Sequence, residues 1–299
     1  MRTVKVRLLL LCLVLLLTGG CGRGDQSSNT GHSVIIPSAD GKETLEAENL
    51  LIDISHLDRG YFMVCYTGTS DKLYVQLVGP DQVEYKYFCK PSQEYTTIPL
   101  TTGDGEYYLC AYENIGADQY SPIFSRTLTV KLENEFDPFL CSSQYVSFTM
   151  DSATVARGEE LTQGMTDPLE EVQAVYDWVT KNVEYDYDKA VNVNQGYLPD
   201  VDETLETKKG ICFDYAALMI TMLRSQGIPS KLNIGYLTED VYHAWISVWL
   251  DEKGWVDNVI QFDGKNWQLL DPTVASSSNS QKVENLMSDE KNYIVRYVR

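Results

Sequence analysis

The pattern of apolar and polar residues predicts a β-rich region from about residue 43 to residue 150. Short aromatic and β-branched runs recur there, and such runs are typical of β-strands. Turn sequences such as Gly79-Pro80-Asp81 and Gly103-Asp104-Gly105 separate them. The predicted strands are Tyr61–Tyr66, Leu73–Val78, Tyr85–Cys89, Tyr107–Cys110 and Leu128–Leu132. Residues 43–150 are therefore predicted to form a β-sandwich, with an immunoglobulin-like arrangement as the nearest model.

The period changes to that of a helix at Asp167. Asp167 suits an N-cap and Pro168 suits the first helical turn. Apolar residues then follow helical spacing as far as about Glu184. A polar loop is expected from Tyr185 to Asp188 and from Asn192 to Thr204. A second helix should begin near Ile211 and end at Gly227, because Ile228-Pro229 follows.

The remainder of the chain predicts strands. They are Leu232–Tyr236, Ala244–Leu250, Trp255–Ile260, Trp267–Leu270 and a last one at Tyr293–Val295. Asp263-Gly264 suits a hairpin turn between two of them. Helices followed by strands in residues 151–299 predict an α+β domain with helices packed on an antiparallel sheet. The fold class of the whole chain is thus α+β, with the β-sandwich first.

The first 42 residues have the composition of a targeting segment and a linker. Basic residues precede the apolar run Leu8–Leu17, which is short for a membrane span and fits a secretory signal peptide. Leu17-Thr18-Gly19-Gly20-Cys21 resembles a bacterial lipobox, with Thr18 where Leu is usual. Residues 1–21 are therefore expected to be a lipoprotein signal peptide, with Cys21 lipidated and the exported protein anchored to the outer face of the bacterial cell membrane. An ordinary signal peptide with an incidental cysteine is the alternative.

Residues 22–42 are rich in Gly, Ser, Asn and Asp, which predicts a flexible tether. The mature chain is acidic, with a formal net charge of −19 for the whole sequence. That balance argues against nucleic acid as a partner, because phosphate binding requires clusters of Lys and Arg. The hydrophobic fraction of 43% is that of an ordinary globular protein.

The seven cysteines fall into distinct groups. Cys12 and Cys21 belong to the N-terminal segment, and Cys212 is alone in the second half. Four lie in the first half of the mature chain, namely Cys65, Cys89, Cys110 and Cys141. These four can pair in three ways or remain thiols, and the sequence does not choose. Cys212 is the unpaired one, as a reactive thiol requires.

Three residues of the second half carry candidate chemistry. Cys212 is placed at a helix N-terminus, where the helix dipole favours a thiolate, and Gly210 allows a sharp turn before it. His243 is the only histidine of this half and can pair with the thiol. Asp271, before Pro272, is the best acceptor to orient the imidazole. No paired metal-ligand spacing accompanies these residues, so neither a metal nor a cofactor is predicted.

The sequence blocks around these residues resemble the transglutaminase-like superfamily. The blocks are Gly210-x-Cys212-x-Asp214-Tyr215-Ala216-Ala217-Leu218, Gly227-Ile228-Pro229, Gly235-Tyr236, His243-Ala244-Trp245 and Trp267-x-x-x-Asp271-Pro272-Thr273. The resemblance implies a papain-like core with a Cys–His–Asp triad, here Cys212, His243 and Asp271. The interval between His243 and Asp271 is longer than usual in the family, which makes Asp257 a rival orienting residue. Asp271 is preferred because Pro272-Thr273 follows it.

The resemblance implies acyl transfer through a thioester on Cys212. The substrate would be a protein or peptide amide, cell-wall peptides included. Resolution of the thioester by an amine gives a transglutaminase, and resolution by water gives a cysteine peptidase or amidase. The alternative is a catalytically silent surface binding or adaptor protein. In that case the tyrosine-rich β-domain would carry the function.

Overall fold

The computed structural model describes residues 31–117, 119–237, 241–257, 260–262, 267–269 and 293–299. The predicted signal peptide, Cys21 and Asp271 lie outside these residues, as does the predicted turn at Asp263-Gly264. Within the described part of the chain, no helix combines the length and hydropathy needed to cross a bilayer.

The first half of the described chain is a β-sandwich of two antiparallel four-stranded sheets. One sheet has the order β1-β2-β3-β6 and the other the order β5-β4-β7-β8. Their strands are β1 (Thr44–Ala47), β2 (Leu50–Asp53), β3 (Tyr61–Tyr66), β4 (Leu73–Val78), β5 (Glu84–Cys89), β6 (Thr96–Pro99), β7 (Gly105–Gly116) and β8 (Gln119–Val130). In β4, Leu73, Val75 and Leu77 are buried and alternate with half-buried residues. This alternation buries one face of each sheet in a shared core.

The strand connections of the sandwich are those of an immunoglobulin-like domain. The chain leaves the first sheet after β3, builds β4 and β5 in the second sheet, and returns to pair β6 with β3. At the start of β7, the buried Tyr107 hydroxyl donates a hydrogen bond to the carbonyl of Gly103, four residues upstream, at 2.8 Å. Such a tyrosine corner is a recurring feature of these sandwiches. The sequence-based prediction of the sandwich is confirmed.

The segment before the sandwich differs from the predicted tether. Ile35 is buried, its N–H donates to the carbonyl of Leu140 at 3.0 Å, and its carbonyl accepts from the N–H of Ser142 at 3.0 Å. The physical reason is the apolar side chain of Ile35, which is buried, whereas the neighbouring Ile36 is exposed. Within the predicted tether, residues 22–42, Ile35 is therefore fixed to the chain that follows the sandwich.

The second half is an α+β arrangement in which helices pack on an antiparallel sheet. The helices are α1 (Ala153–Thr162), α2 (Pro168–Asn182), α3 (Tyr187–Asn192), α4 (Val201–Thr207) and α5 (Cys212–Ser225). The strands are β9 (Glu184–Tyr185), β10 (Lys209–Gly210), β11 (Ser230–Leu237), β12 (Val241–Leu250), β13 (Gly254–Asp257), β14 (Ile260–Phe262), β15 (Trp267–Leu269) and β16 (Tyr293–Val298). The main sheet has the order β13-β12-β11-β16. Helix α5 packs on β11 and β12, and α1, α2 and α4 pack on α5.

Several predictions for this half need correction. The loop expected between the two long helices contains α3 and α4, and α1 was not predicted. The strand expected at Trp255–Ile260 divides, because β13 pairs with β12 whereas β14 pairs with β15. The long helices, the remaining strands and the α+β class agree with the sequence-based prediction.

Two buried arginines lie where the sandwich meets the second half. Arg224 of α5 is fully buried and donates to the carbonyls of Cys141 at 2.6 Å and Ser230 at 2.7 Å. Burial lowers the pKa of its guanidinium to about 10. Arg299 exchanges backbone hydrogen bonds with Leu232, while its guanidinium lies 3.8 Å from the ring centroid of Tyr145 and donates to the carbonyl of Lys86 at 3.2 Å. The two halves are thus joined by polar contacts inside the molecule.

Candidate active site

Cys212 differs from the other described cysteines in its exposure. It is the first residue of α5 and is partly exposed, whereas Cys65, Cys89, Cys110 and Cys141 are buried. All five are free thiols in the described structure. Burial raises the pKa of Cys89 to about 11 and that of Cys141 to about 12. Among the cysteines that the structure describes, Cys212 is therefore the one open to a reagent or substrate.

The start of α5 is fixed by the chain segments on either side of it. Strand β10 pairs in parallel with β9, and the N–H of Asp186 donates to the carbonyl of Gly210 at 2.8 Å. Ile211 is extended and serves as the N-cap, so that helical conformation begins at Cys212. One turn later the buried Tyr215 hydroxyl donates to the carbonyl of Val183 at 2.6 Å. These contacts place the thiol at the helix N-terminus, as the sequence predicted.

Asp214 forms a buried polar cluster beside this helix start. Its side chain is fully buried and accepts from the N–H of Ile211 at 2.8 Å and from the hydroxyl of Tyr197. Lys189 Nζ lies 2.7 Å from Asp214 Oδ2 and donates to the Tyr197 hydroxyl at 2.6 Å. Burial, followed by the bond to the Asp214 carboxylate, raises the pKa of Tyr197. The sequence analysis missed Lys189 and Tyr197.

Gly210 is explained by the same cluster. A Cβ atom at Gly210 would lie 2.6 Å from the Cβ of Asp214, which is too close for any side chain. From the sequence, this glycine was expected to allow a sharp turn before Cys212. The structure adds that it allows Asp214 to fold back over the N-cap.

His243 lies on β12, the strand that packs against α5. Its side chain is buried, and its ring lies 6.1 Å from that of Trp245 and 6.5 Å from that of Tyr293. By strand alternation, His243 and Trp245 share the face opposite to Ala244 and Ile246, which pack in the core with α5. Cys212 and His243 therefore lie on elements that pack together, with the His243 side chain on the face of β12 opposite to α5.

Asp257 is engaged elsewhere. Its Oδ1 accepts from the hydroxyl of Ser247 at 2.6 Å, and Ser247 is its direct partner across the β12–β13 pair. Ser247 is four residues beyond His243 on β12, which corresponds to a separation of about 13 Å along the strand. Asp257 therefore does not orient the imidazole of His243. Asp271, the preferred candidate, lies outside the described residues.

Together these residues have the parts needed for nucleophilic chemistry. Cys212 is a partly exposed thiol at a helix N-terminus. The adjoining strand supplies an imidazole, the usual partner in proton transfer. The amides of a first helical turn have no partner within the helix and can donate to an anion.

Comparisons with known proteins agree with this description. Residues 155–258 match the family model of the transglutaminase-like superfamily, and this range contains Cys212 and His243 but ends before Asp271. The chain is 26% identical over 147 residues to the uncharacterised protein YebA of Bacillus subtilis, covering 42% of this chain and 20% of that protein. It is 28% identical over 110 residues to a protein-glutamine gamma-glutamyltransferase of Pseudomonas aeruginosa, covering 31% of this chain and 15% of that enzyme.

Among solved structures, the chain is similar to the periplasmic domain of TgpA from Pseudomonas aeruginosa. That similarity has 17% sequence identity and a TM-score of 0.36, and it covers 83% of this chain and 80% of that domain. The chain spans only a fifth or less of the two sequence relatives named above. The family match is therefore a statement about one domain. Residues 155–258 of this chain are similar to the transglutaminase-like superfamily.

Proposed function

We propose that this chain is a cysteine acyl-transfer enzyme that acts on a protein or peptide amide at the bacterial cell surface. The observation that carries the proposal is the position of Cys212. It is partly exposed at the first residue of a buried helix, while the four other described cysteines are buried. A structural thiol has no need of that position, whereas a nucleophile does.

The proposed reaction has two steps. The Cys212 thiolate attacks the amide carbonyl carbon, and the tetrahedral oxyanion collapses to a thioester as the C–N bond breaks. His243 gives the departing amine or ammonia its proton. Water or a primary amine then attacks the thioester carbonyl and releases Cys212, with His243 accepting the proton of the incoming nucleophile. The Cys212 backbone N–H is the proposed oxyanion donor, and Asp271 is the proposed acceptor for the second imidazole nitrogen.

The first test measures the thiol directly. The purified protein is treated with iodoacetamide at several pH values, and modified peptides are counted by mass spectrometry. We expect Cys212 to react quickly at pH 6 to 7 and His243→Ala to abolish that fast reaction. The buried cysteines serve as internal controls in the same sample. A Cys212 rate no faster than that of an ordinary thiol, whose pKa is about 8.5, would count against the enzyme.

A second test separates hydrolysis from crosslinking. A glutamine-containing protein is incubated with the enzyme and a fluorescent primary amine. Incorporation of the amine indicates a transglutaminase, whereas release of ammonia or of new peptide termini without incorporation indicates an amidase or peptidase. Cys212→Ala is the control for both readouts. Absence of either product from a panel of protein and wall-peptide substrates, with the thiol reactive, would restrict the proposal to a narrower substrate.

The cell-surface part of the proposal depends on Cys21. A radiolabelled fatty acid should be incorporated into the wild-type chain and not into Cys21→Ser. The wild type should also sediment with membranes, and extracellular protease should digest it in intact cells. Soluble wild-type protein without label would refute the lipid anchor while leaving the catalytic proposal intact.

A specific feature of the sandwich favours a second candidate, a surface binding protein. Four partly exposed aromatic rings cluster on the outer face of the β5-β4-β7-β8 sheet, namely Tyr74, Phe88, Tyr112 and Tyr120. Tyr74 and Gln76 also donate to the Glu84 carboxylate. If Cys212→Ala folds normally and leaves the cellular phenotype unchanged, this face becomes the place to look for function.

A further inference from the structure

The buried carboxylate of Asp214 lies close to the proposed nucleophile, Cys212. Asp214 is two residues after Cys212 in the first turn of α5, and its carboxylate is fully buried. A negative charge that close disfavours a thiolate. A unit charge within about 8 Å changes the thiolate population by about tenfold or more at an effective dielectric constant of about 20. The carboxylate would therefore oppose the helix dipole unless something neutralises it.

Lys189 is placed to provide that neutralisation. Its ammonium lies 2.7 Å from Asp214 Oδ2 and its side chain is 29% exposed, so the positive charge points inward to the carboxylate. The Tyr197 hydroxyl accepts from Lys189 and donates to the other carboxylate oxygen, Oδ1. The ammonium also lies 4.4 Å from the centre of the Tyr197 ring. The Lys189 ammonium is thus held by the Asp214 carboxylate, the Tyr197 hydroxyl and the Tyr197 ring.

The other charged groups near this cluster are Asp186, Lys209, Asp200 and Glu203. The Asp186 carboxylate accepts from the backbone N–H of Lys189 at 2.9 Å and lies 3.5 Å from Lys209 Nζ on β10. From the start of α4, Asp200 and Glu203 act on Tyr197. The Asp200 carboxylate caps α4 by accepting hydrogen bonds from the backbone N–H groups of Asp202 and Glu203. On β12 the titratable side chains are Tyr242, which is exposed, and His243, which is buried. Lys189 is the cation in contact with Asp214.

We propose that Lys189 is a positioning residue for the acyl-transfer site, which neutralises Asp214 and so keeps Cys212 a reactive thiolate. The proposal rests on the proposed function only in taking Cys212 as the nucleophile. It gives the segment from Asp186 to Asp200 a role, because Lys189 and Tyr197 both lie in that segment and both bind Asp214. Lys189 makes no proposed contact with substrate and acts through Asp214 alone.

The test compares the rates at which iodoacetamide modifies Cys212 in charge variants at pH 6.5. Iodoacetamide is neutral, so its rate reports the thiolate and not attraction of the reagent. Lys189→Met leaves the buried carboxylate unopposed and should slow the reaction about tenfold. Asp214→Asn leaves the ammonium beside the thiolate and should speed the reaction. The double variant should return to the wild-type rate. A role confined to structure would slow the reaction in both single variants.

Two further variants complete the design. Lys189→Arg keeps the charge and should restore most of the rate. Lys181→Met removes a lysine from an exposed pair with Asp177 on α2 and should have no effect. If Lys189→Met does not fold, Asp214→Asn and the double variant still test the proposal. Adding Lys189→Met to Asp214→Asn must then cancel the acceleration that Asp214→Asn causes. Shifts in the same direction for both single variants overturn the proposal.

The same experiment separates this proposal from the proposed function. His243→Ala is measured alongside. If Cys212 reacts slowly in His243→Ala and at the wild-type rate in the charge variants, the role of Lys189 is refuted and the proposed enzyme function is retained. A His243→Ala variant as fast as the wild type refutes the thiol–imidazole pair, whatever the charge variants do.

Discussion

Glu171 makes the stability of the protein depend on pH in a direction that can be worked out from the structure. It lies in the first turn of α2, 8% exposed, and burial followed by the charge of Asp167 raises its pKa from 4.5 to about 7. The folded protein therefore holds this proton more tightly than the unfolded chain. The stabilising contribution is complete below pH 4.5 and is lost as the pH rises through about 7.

The size of the effect follows from the pKa. A rise from 4.5 to about 7 corresponds to at most about 3 kcal/mol. Solvent screening of a partly hydrated carboxyl reduces this to about 1 kcal/mol. Glu171→Gln removes the ionisation, so we expect the free energy of unfolding at pH 8 to exceed that of the wild type by about 1 kcal/mol. At pH 4.5 the two proteins should differ little.

Urea denaturation at pH 4.5, 6 and 8, followed by tryptophan fluorescence, measures this difference. Glu170→Gln changes the neighbouring exposed residue on the same helix and is the matched control. Its effect should not vary with pH by a comparable amount. A Glu171→Gln difference that is constant across the three pH values, or that becomes destabilising at pH 8, would refute the reasoning about burial.

Three other outcomes are expected. Tyr107→Phe removes the hydroxyl that binds Gly103 and Thr102 and should cost about 1 kcal/mol in urea denaturation, whereas Tyr108→Phe at an exposed position should cost little. Gly235→Ala places a Cβ 2.0 Å from the carbonyl oxygen of Ile294, so β16 must shift. We expect the free energy of unfolding to fall by about 2 kcal/mol or more. An unchanged free energy of unfolding would mean that the pairing of β11 with β16 is wrong. Cys89 and Cys141 should resist iodoacetamide in the native state and react once the protein is unfolded, because both are buried; native labelling of either at the rate of Cys212 would contradict the described core.

The elements that could be predicted from sequence are those whose signal is local. Asp167 caps α2 by accepting from the N–H of Leu169 at 2.9 Å, and the apolar positions that follow have helical spacing. The start of α5 at Cys212 was marked by the glycine before it and the apolar run after it. Helix α1 had no such signal, because its buried face consists of Thr154, Val155, Gly158 and Thr162, of which Val155 is the one large apolar residue. Gly158 is required by a contact with a residue distant in sequence, because a Cβ at this position would lie 3.0 Å from the backbone of Met222 on α5.

The residues missed at the site depend on contacts between distant parts of the chain. Lys189 and Asp214 are 25 positions apart, and they meet because β9 and β10 pair side by side. Periodicity carries no information about such a pairing. Val34-Ile35-Ile36 did carry a local signal, three apolar residues within a polar segment, but it was outweighed by the composition around it. The exclusion of Asp257 likewise needed the register of β12 against β13.

The arginine contacts between the sandwich and the second half bear on how the molecule unfolds. Arg224 of α5 binds the carbonyl of Cys141, which follows the sandwich, while Arg299 pairs with β11 and covers the Tyr145 ring. Separating the two halves would break these contacts and expose to water the surface that they cover. The two halves should therefore melt in a single cooperative transition, and neither is expected to be a stable fragment when expressed alone. A substitution that destabilises the sandwich would then lower the fraction of folded protein. It would reduce the reactivity of Cys212 in that way, without contacting the thiol.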